Sequence, residues 1–487
     1  MPDRFSSTAP RVAIVGGGLA GLAAATALVT RGCHVELFDA RRKLGGRAGS
    51  YVDRASSESI DHCQHVAMGC CTNFLDFCRR TEIADQFKRY RTLHFFGPDG
   101  RRCDFSPSRW LPAPLHLVGP LLSLNYLSLA DKLGIARAML RLVRTDASDP
   151  PTSPTVLDWL VAQRQSQAAI ERFWKVVLVS ALAESLERAS LAAARKVFVD
   201  GFLAHQDASH LLVPRVALGE LYDVRVAGWL RAQGVNIHLE SPVAMIVGDV
   251  ERASELQLVG GGAIPFDFVI VAVPWHRVGA LLSPALLAAI DPGDNFASIP
   301  SAPISSVHLW FDRPLTDLPH AVLVGRLSQW VFARELENRA DEHYYQVVIS
   351  ASHDLSGRER QSVVDEVLAD LAAVFPRARG ASLLRWQLIT EQQAVFSVRP
   401  GLDTVRPTAQ SAVSNLLLAG DWTRTGWPAT MEGAVRSGYL AAEALLQRQG
   451  RKARILQPDL SKKTTKHTNR RVSGAQRCAN GLWRLGG

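Results

Sequence analysis

"RVAIVGGGLAGLAAATALVTRGCHVELFDA" runs from Arg11 to Ala40. Val12 to Val15 form a short continuous apolar run, the pattern of a parallel strand buried on both faces. Gly16-Gly17-Gly18-Leu19-Ala20-Gly21 then satisfies G-x-G-x-x-G. Gly16 permits a tight turn, Gly18 lets the backbone approach a pyrophosphate, and Gly21 lets the next helix pack closely on the strand. That Ala-rich helix starts at Leu19 and Ala20, and its free N–H groups and positive dipole end suit phosphate. A second strand, His34 to Phe38, ends at Asp39, 18 residues past Gly21. This is near the spacing of a carboxylate that accepts from a ribose 2′-OH. The glycine motif alone is weak. Strand, helix and acid together predict a Rossmann-like α/β dinucleotide site.

The next residues narrow the dinucleotide. "ARRKLGGRAGS", Ala40 to Ser50, resembles the R-x-G-G-R-x-x-S/T signature of the flavin amine oxidase and carotenoid desaturase superfamily. The resemblance implies FAD, with Arg47 approaching its phosphates. Arg42 and Ser50 match flanking positions, and Ala40, Arg41 and Gly46 belong to the same cofactor-binding turn.

A matching half lies near the other end, in "NLLLAGDWTRTGWPATMEGAVRSGYLAAEALL", Asn415 to Leu446. An apolar strand, Leu416 to Ala419, leads to Gly420-Asp421, and a helix begins near Ala429 to Gly433. By the same resemblance, Asp421 accepts from the ribityl chain, and Thr430, Met431, Glu432 and Ala434 offer backbone at the pyrimidine end of the flavin. A helix N-terminus there stabilises the negative charge of reduced flavin. Glu432 also has a plain reading as a helix-start acid. No cysteine lies in "TRTGWPATMEG", so the FAD is expected to be noncovalent. "GVNIHLESPVAMIVG" (Gly234 to Gly248) is strand-like, and Val243 matches the family's adenine-contacting valine. "FDFVIVAVPWH" (Phe266 to His276) reads as a buried strand.

These segments predict a discontinuous FAD-binding domain (1–90, 235–280 and 385–450) of amine oxidase/phytoene desaturase type. An α+β substrate domain (91–234 and 281–384) is inserted, and a basic tail follows (451–487).

"IDHCQHVAMGCCTN", Ile60 to Asn73, packs two histidines, three cysteines and an aspartate together. It has the look of a metal site. Structural zinc uses C-x₂₋₄-C and H-x₃₋₅-H pairs. Here His62 and His65 are three apart and Cys63 and Cys70 seven apart, with no second pair downstream, so no metal is expected. The stretch resembles the D-N-G-Q-H-x-x-x-G-C-Y-T-N signature of hydroxysqualene dehydroxylases, also called squalene-associated FAD-dependent desaturases. Asp61, Gln64, His65, Gly69, Cys70, Thr72 and Asn73 match. His62, Cys63 and Cys71 depart from it. "RFWKVVLVSALAESLERASLAAARKVFVDGFL" (Arg172 to Leu203) and "SHLLVPRVALGELY" (Ser209 to Tyr222) resemble two further regions of that family.

The resemblance implies reductive loss of a hydroxyl from a thirty-carbon isoprenoid, with hydride from FADH₂. An acid must protonate the departing hydroxyl and the pocket must be dry. His65 is the first candidate acid, with Asp61 to orient or charge it and Gln64 beside it. Equally, the three residues could only hold a loop by hydrogen bonds. Three rivals stay open: a carotenoid-type desaturase running the opposite redox direction, an amine oxidase with Trp422 and Trp427 as its cage, and a flavin-binding membrane-associated protein without turnover.

The chain has 487 residues and a formal charge of +9. Arg451 to Gly487 hold ten Lys or Arg and one acid, Asp459, so residues 1–450 are neutral. The basicity is a tail property, the tail is expected to be disordered, and nucleic acid is not an expected partner. Contact with anionic lipid would suit a lipid-like substrate. Seven cysteines without a framework read as reduced thiols, and "MPDRFSSTAP" lacks a secretory pattern, so a cytoplasmic setting is expected, with peripheral contact at the inner membrane face. "WLPAPLHLVGPLLSLNYLSLA", Trp110 to Ala130, carries no formal charge. Three prolines in its first half argue against a spanning helix. It reads as a segment that dips into one leaflet or lines a greasy channel, or equally as a buried loop and helix of the substrate domain. Oligomeric state is not legible.

Overall fold

The computed structural model describes residues 9–53, 57–146, 148–334 and 341–460. Five short apolar strands form one parallel sheet in the order Asn236–His238, His34–Phe38, Arg11–Val15, Phe268–Val271, Leu416–Leu418. The first-read strand lies in the middle: Ile14 sits level with Leu37 on one side and Ile270 on the other. Its apolar run is buried on both faces: a helix pair covers Val12 and Ile14, and Ala13 and Val15 share a second core with Ile246 and Leu256. Those helices are Leu19–Val29 and Met431–Arg448. They touch where both are smallest. A Cβ added at Gly438 would lie 2.2 Å from the Ala20 carbonyl oxygen, and one at Gly21 would lie 1.9 Å from that of Gly16.

An antiparallel meander, Val243–Gly248, Ala253–Leu258 and Ala263–Pro265, feeds the strand Phe268–Val271. A larger sheet of seven strands forms the second unit. Its order is Leu383–Phe396, Ser301–Phe311, His343–Ser350, Trp330–Arg334, His320–Leu323, Leu93–Phe96, Arg102–Phe105. Side chains alternate across it. Val307, Leu309, Val347 and Ile349 pack with the helix Arg360–Val374. The opposite face carries Ser306, His308, Trp310, Tyr344 and Gln346. Leu383–Phe396 pairs along Ser301–Phe311 at the edge of this sheet.

Two expectations are corrected. The tail was read as disordered from Arg451, yet residues 451–460 are packed. Ile455 is fully buried, Leu456 N donates to Glu443 at 2.8 Å, and Gln457 N donates to Asn73 Oδ1 at 2.8 Å. The abundant basic residues hid the short run Ile455-Leu456-Gln457-Pro458-Asp459, which has its own apolar and hydrogen-bonding anchors. Residues 461–487 lie outside the described residues. The second is the reading of Trp110 to Ala130 as a buried loop and helix. It folds as a 3₁₀ turn, Leu115–Leu117, and a short helix, Val118–Ser123, but many of its apolar side chains face outward. Among the described residues no helix is long and apolar enough to cross a membrane.

Candidate active site

Gly16 has φ +114°, and a Cβ there would fall 2.6 Å from the Ala272 carbonyl oxygen, so the turn demands glycine. The Asp39 carboxylate ties the turn together: Gly17 N donates to Oδ2 at 2.7 Å and Arg41 N to Oδ1 at 2.8 Å. Each oxygen keeps a lone pair for a further donor. A Cβ added at Gly18 would meet nothing within 4 Å, so the turn opens onto free space. The helix that follows has no side-chain cap and no acid in its first turn. Its orphan N–H groups therefore line an anion seat. Leu19 and Ala20 are buried and contribute backbone only.

The second glycine pair lies on the first. Gly45 N donates to the Gly17 carbonyl at 2.9 Å, and Gly46 (φ +61°) sits against Gly18. Ala40 and Arg42 are exposed, and Arg42 pairs with Glu240 at 3.0 Å. Glu240 N donates to the Arg41 carbonyl and Ser241 N to that of Asp39, at 3.1 and 3.0 Å. These bonds deliver Val243, two residues on, to the side of the Asp39 turn.

Arg47 closes the arrangement. It donates to the Ala394 carbonyl at 2.9 Å and to Asp421 Oδ1 at 2.5 Å, so both halves of the sequence pattern meet on one guanidinium. Gly420 (φ +146°) turns the chain into Asp421, and its N–H donates to Ser437 Oγ at 2.8 Å. Thr430 caps the last helix through Gly433 N at 3.0 Å, which leaves the N–H groups of Met431 and Glu432 without intrahelical partners. Tyr222 Oη donates to Met431 Sδ at 3.7 Å, and Ala434 packs at the core edge. The Glu432 side chain points elsewhere. Its buried carboxylate accepts from Asn73 N, Asn73 Nδ2 and Phe74 N at 3.2, 2.8 and 2.8 Å, and so caps the helix Thr72–Arg80. Burial raises its pKa. One uncapped helix start, a second with two N–H groups left over, an open glycine turn and the Asp39 carboxylate fit a phosphate-bearing dinucleotide.

The residues of Ile60–Asn73 are spread over three structural elements. Ser59–Asp61 pairs with Ser50–Val52, Ala67–Met68 pairs with Leu211–Pro214, and the helix Thr72–Arg80 follows. A Cβ at Gly69 would lie 1.8 Å from the Asp207 carbonyl oxygen, which explains the glycine. Cys70, Cys71 and Cys78 are buried, and Cys71 and Cys78 belong to the core. Burial lifts the Cys63 thiol to about 12, while it bonds Ser306. Among the described residues no three His, Cys, Asp or Glu side chains gather as a metal would need.

Asp61 is buried and accepts from Ser50 Oγ at 2.6 Å and Leu218 N at 2.8 Å, with Arg334 Nη1 at 3.6 Å. Burial raises its pKa against these partners. Among the described residues, Gln64 Nε2 donates to the carbonyl of its neighbour His65, at 3.4 Å. His65 Nδ1 lies 2.9 Å from the Cys63 carbonyl, which can only accept, so Nδ1 carries the proton. Burial lowers the His65 pKa, and the nearby Arg47 charge lowers it further against the pull of Asp61. Burial thus favours the neutral ring, with its proton on Nδ1, over the imidazolium. Ser306, Arg334 and Gln346 were not legible as site residues. They reach the turn from distant strands, with Gln346 Nε2 bridging Ser306 Oγ (2.8 Å) and the Asp61 carbonyl (3.4 Å).

The profile of flavin containing amine oxidoreductases matches residues 19–446. The chain belongs to that family. This family member is 28% identical over 450 residues to hydroxysqualene dehydroxylase of Zymomonas mobilis, covering 89% of this chain and 98% of that one. It is 24% identical over 481 residues to zeta-carotene desaturase of a Synechocystis species, covering 91% and 98%. Among solved structures, cyclohexylamine oxidase of Brevibacterium oxydans superposes with a TM-score of 0.66 at 18% identity, covering 91% and 100%. The protein is thus an FAD-dependent oxidoreductase of the amine oxidase fold. In this family member the two tryptophans suggested as an amine cage are closed off. Trp422 is fully buried, with Nε1 donating to the Val273 carbonyl at 3.0 Å. Trp427 is covered by Lys196, 4.7 Å above its ring.

Proposed function

We propose that this flavoprotein removes a hydroxyl group reductively from a thirty-carbon isoprenoid, converting hydroxysqualene to squalene. The overall change is R–OH plus hydride plus proton giving R–H and water. Reduced FAD, when bound noncovalently, supplies the hydride. Gly16, Gly18, Gly46 and the N-terminus of Leu19–Val29 would seat its pyrophosphate, Asp39 its adenosine ribose and Val243 the adenine side. Arg47 and Asp421 would hold the two ends of the cleft in register.

The observation that carries the reading is the Asp61–His65 turn, whose anchored imidazole lies within reach of the Arg47 charge. With Nδ1 fixed on the Cys63 carbonyl, Nε2 is the only ring atom free to meet substrate. It holds the substrate hydroxyl as an acceptor. Once protonated it donates to the departing oxygen, and buried Asp61 stabilises the imidazolium that this requires. Similarity to hydroxysqualene dehydroxylase across 89% of the chain supports the substrate class. The enclosed tryptophans disfavour amine oxidation.

The test is anaerobic. The purified protein is photoreduced, hydroxysqualene is added, and flavin absorbance is followed while products are identified by mass. Reoxidation with matching squalene is expected. Flavin that stays reduced, with substrate recovered intact, would sink the proposal and turn attention to desaturation by the oxidised enzyme.

A further inference from the structure

The helix Leu129–Arg144 has two apolar faces. Ile135, Ala138 and Leu142 are buried against the core. On the opposite side Leu129, Leu133 and Leu140 are 70%, 72% and 60% exposed. Their spacing of four and seven places them on one outward stripe. A surface helix of a globular protein presents one apolar stripe to its core and a polar face to water. A second stripe calls for a second apolar partner.

Neighbouring residues extend the stripe. Lys132 Nζ donates to the Leu122 carbonyl at 2.8 Å, pinning the short helix Val118–Ser123 beside the long one. Leu115 and Leu122 are each 53% exposed, and Trp110 is 92% exposed at the tip of the preceding loop. The charges within this stretch are mostly basic. Residues 107–145 hold five Arg or Lys and one acid, Asp131. Asp131 is occupied as a helix cap by Ser128 and bonded by Ser166. Arg109, Arg137 and Arg144 are exposed and have no acidic partner among the described residues.

We propose that this surface docks on an anionic lipid bilayer. Trp110 and the outward leucines enter the headgroup–acyl boundary, and Arg109, Arg137 and Arg144 lie against lipid phosphates. An interfacial helix of this type combines apolar insertion with a basic rim, and tryptophan favours that depth. The cationic rim selects the bilayer over a purely apolar protein partner. The inference does not depend on the reaction proposed above.

The experiment uses the full-length, flavin-loaded protein in co-sedimentation with phosphatidylcholine vesicles, with and without about one third phosphatidylglycerol. Strong binding is expected to the anionic vesicles and weak binding to the neutral ones. The double variant Trp110→Ser/Leu133→Ser should lower partitioning roughly tenfold or more on both. Its flavin absorbance and melting temperature should be unchanged, because both side chains are exposed. Arg137→Glu/Arg144→Glu should weaken binding to the anionic vesicles only. Unchanged binding of both variants would assign lipid contact to the basic terminal segment and overturn the proposal. So would a wild-type protein that binds neither vesicle. A wild-type dimer in ultracentrifugation that Leu133→Ser dissociates, without vesicle binding, would assign the face to a second copy and also overturn it.

Discussion

Arg47 donates to Asp421 at 2.5 Å across 374 residues of chain. The pair joins the loop after the first sheet crossover to the loop before the last helix. The Asp421 side chain is only 4% exposed, and Arg47 is the cation that bonds its carboxylate. Arg47→Ala is expected to destabilise the protein by roughly 3 kcal/mol, because a nearly buried carboxylate is left without its cation. Urea unfolding measures this, and flavin content should fall in parallel. Adding Asp421→Asn should recover part of the loss; strictly additive effects would mean that the two residues are not coupled.

The resting state of His65 makes a kinetic prediction. Its pKa lies below the ordinary 6.5, because burial disfavours the imidazolium. If that imidazolium protonates the departing hydroxyl, kcat/KM for dehydroxylation must rise as pH falls, with an inflection below 6.5. His65→Gln should lose that limb and about 10²–10⁴-fold in rate, while binding FAD normally. A profile that rises with pH would make His65 a base and favour desaturation.

The contact between the two long helices of the nucleotide unit can be tested with one methyl group. At Gly438 a Cβ would lie 2.2 Å from the Ala20 oxygen and 2.8 Å from Ala24 N, both backbone atoms that cannot move aside. Gly438→Ala should cost roughly 2–3 kcal/mol of stability. Gly228, in the helix Ala227–Ala232, has nothing within 4 Å of the added Cβ. Gly228→Ala should therefore gain about 0.5–1 kcal/mol from helix propensity. Thermal melts of the two variants should move in opposite directions.

Asp459 fastens the segment after the last helix. It bonds Lys196 and Arg436 at 2.8 Å each and accepts from Trp427 Nε1 at 3.3 Å. Burial alone would raise its pKa, but the Lys196 and Arg436 cations bring it below 3.8. A carboxylate with a depressed folded value adds stability above its unfolded pKa and loses it as pH falls through the folded value. Asp459→Asn should therefore cost about 1 kcal/mol at neutral pH. The gap between variant and wild type should close as the solution is acidified below 3.8. A gap independent of pH would mean that the contact is not ionic.

Much of the nucleotide unit was legible because its signals are contiguous. Apolar runs, a glycine turn and an acid at fixed spacing lie within Arg11–Ala40, and each acts on its immediate neighbours. The same local chemistry read Gly420-Asp421 and the helix start at Thr430. Residues that act across the chain were not readable in this way. Glu432 looked like a helix-start acid for its own helix, but it caps Thr72–Arg80 instead. Ser306, Arg334 and Gln346 carry no local mark of the site. Sheet pairing alone chooses which face they occupy and sets them over Asp61.

The sequence by itself determined the cofactor-binding scaffold and the family, since strand, turn and helix preferences are properties of short segments. The anchoring of His65 in a buried turn, the packing of residues 451–460 and the outward stripe of Leu129–Arg144 emerge only from the folded chain. Those depend on burial and on partners hundreds of residues away. Burial sets which charge a side chain can bear, and no local spacing encodes it.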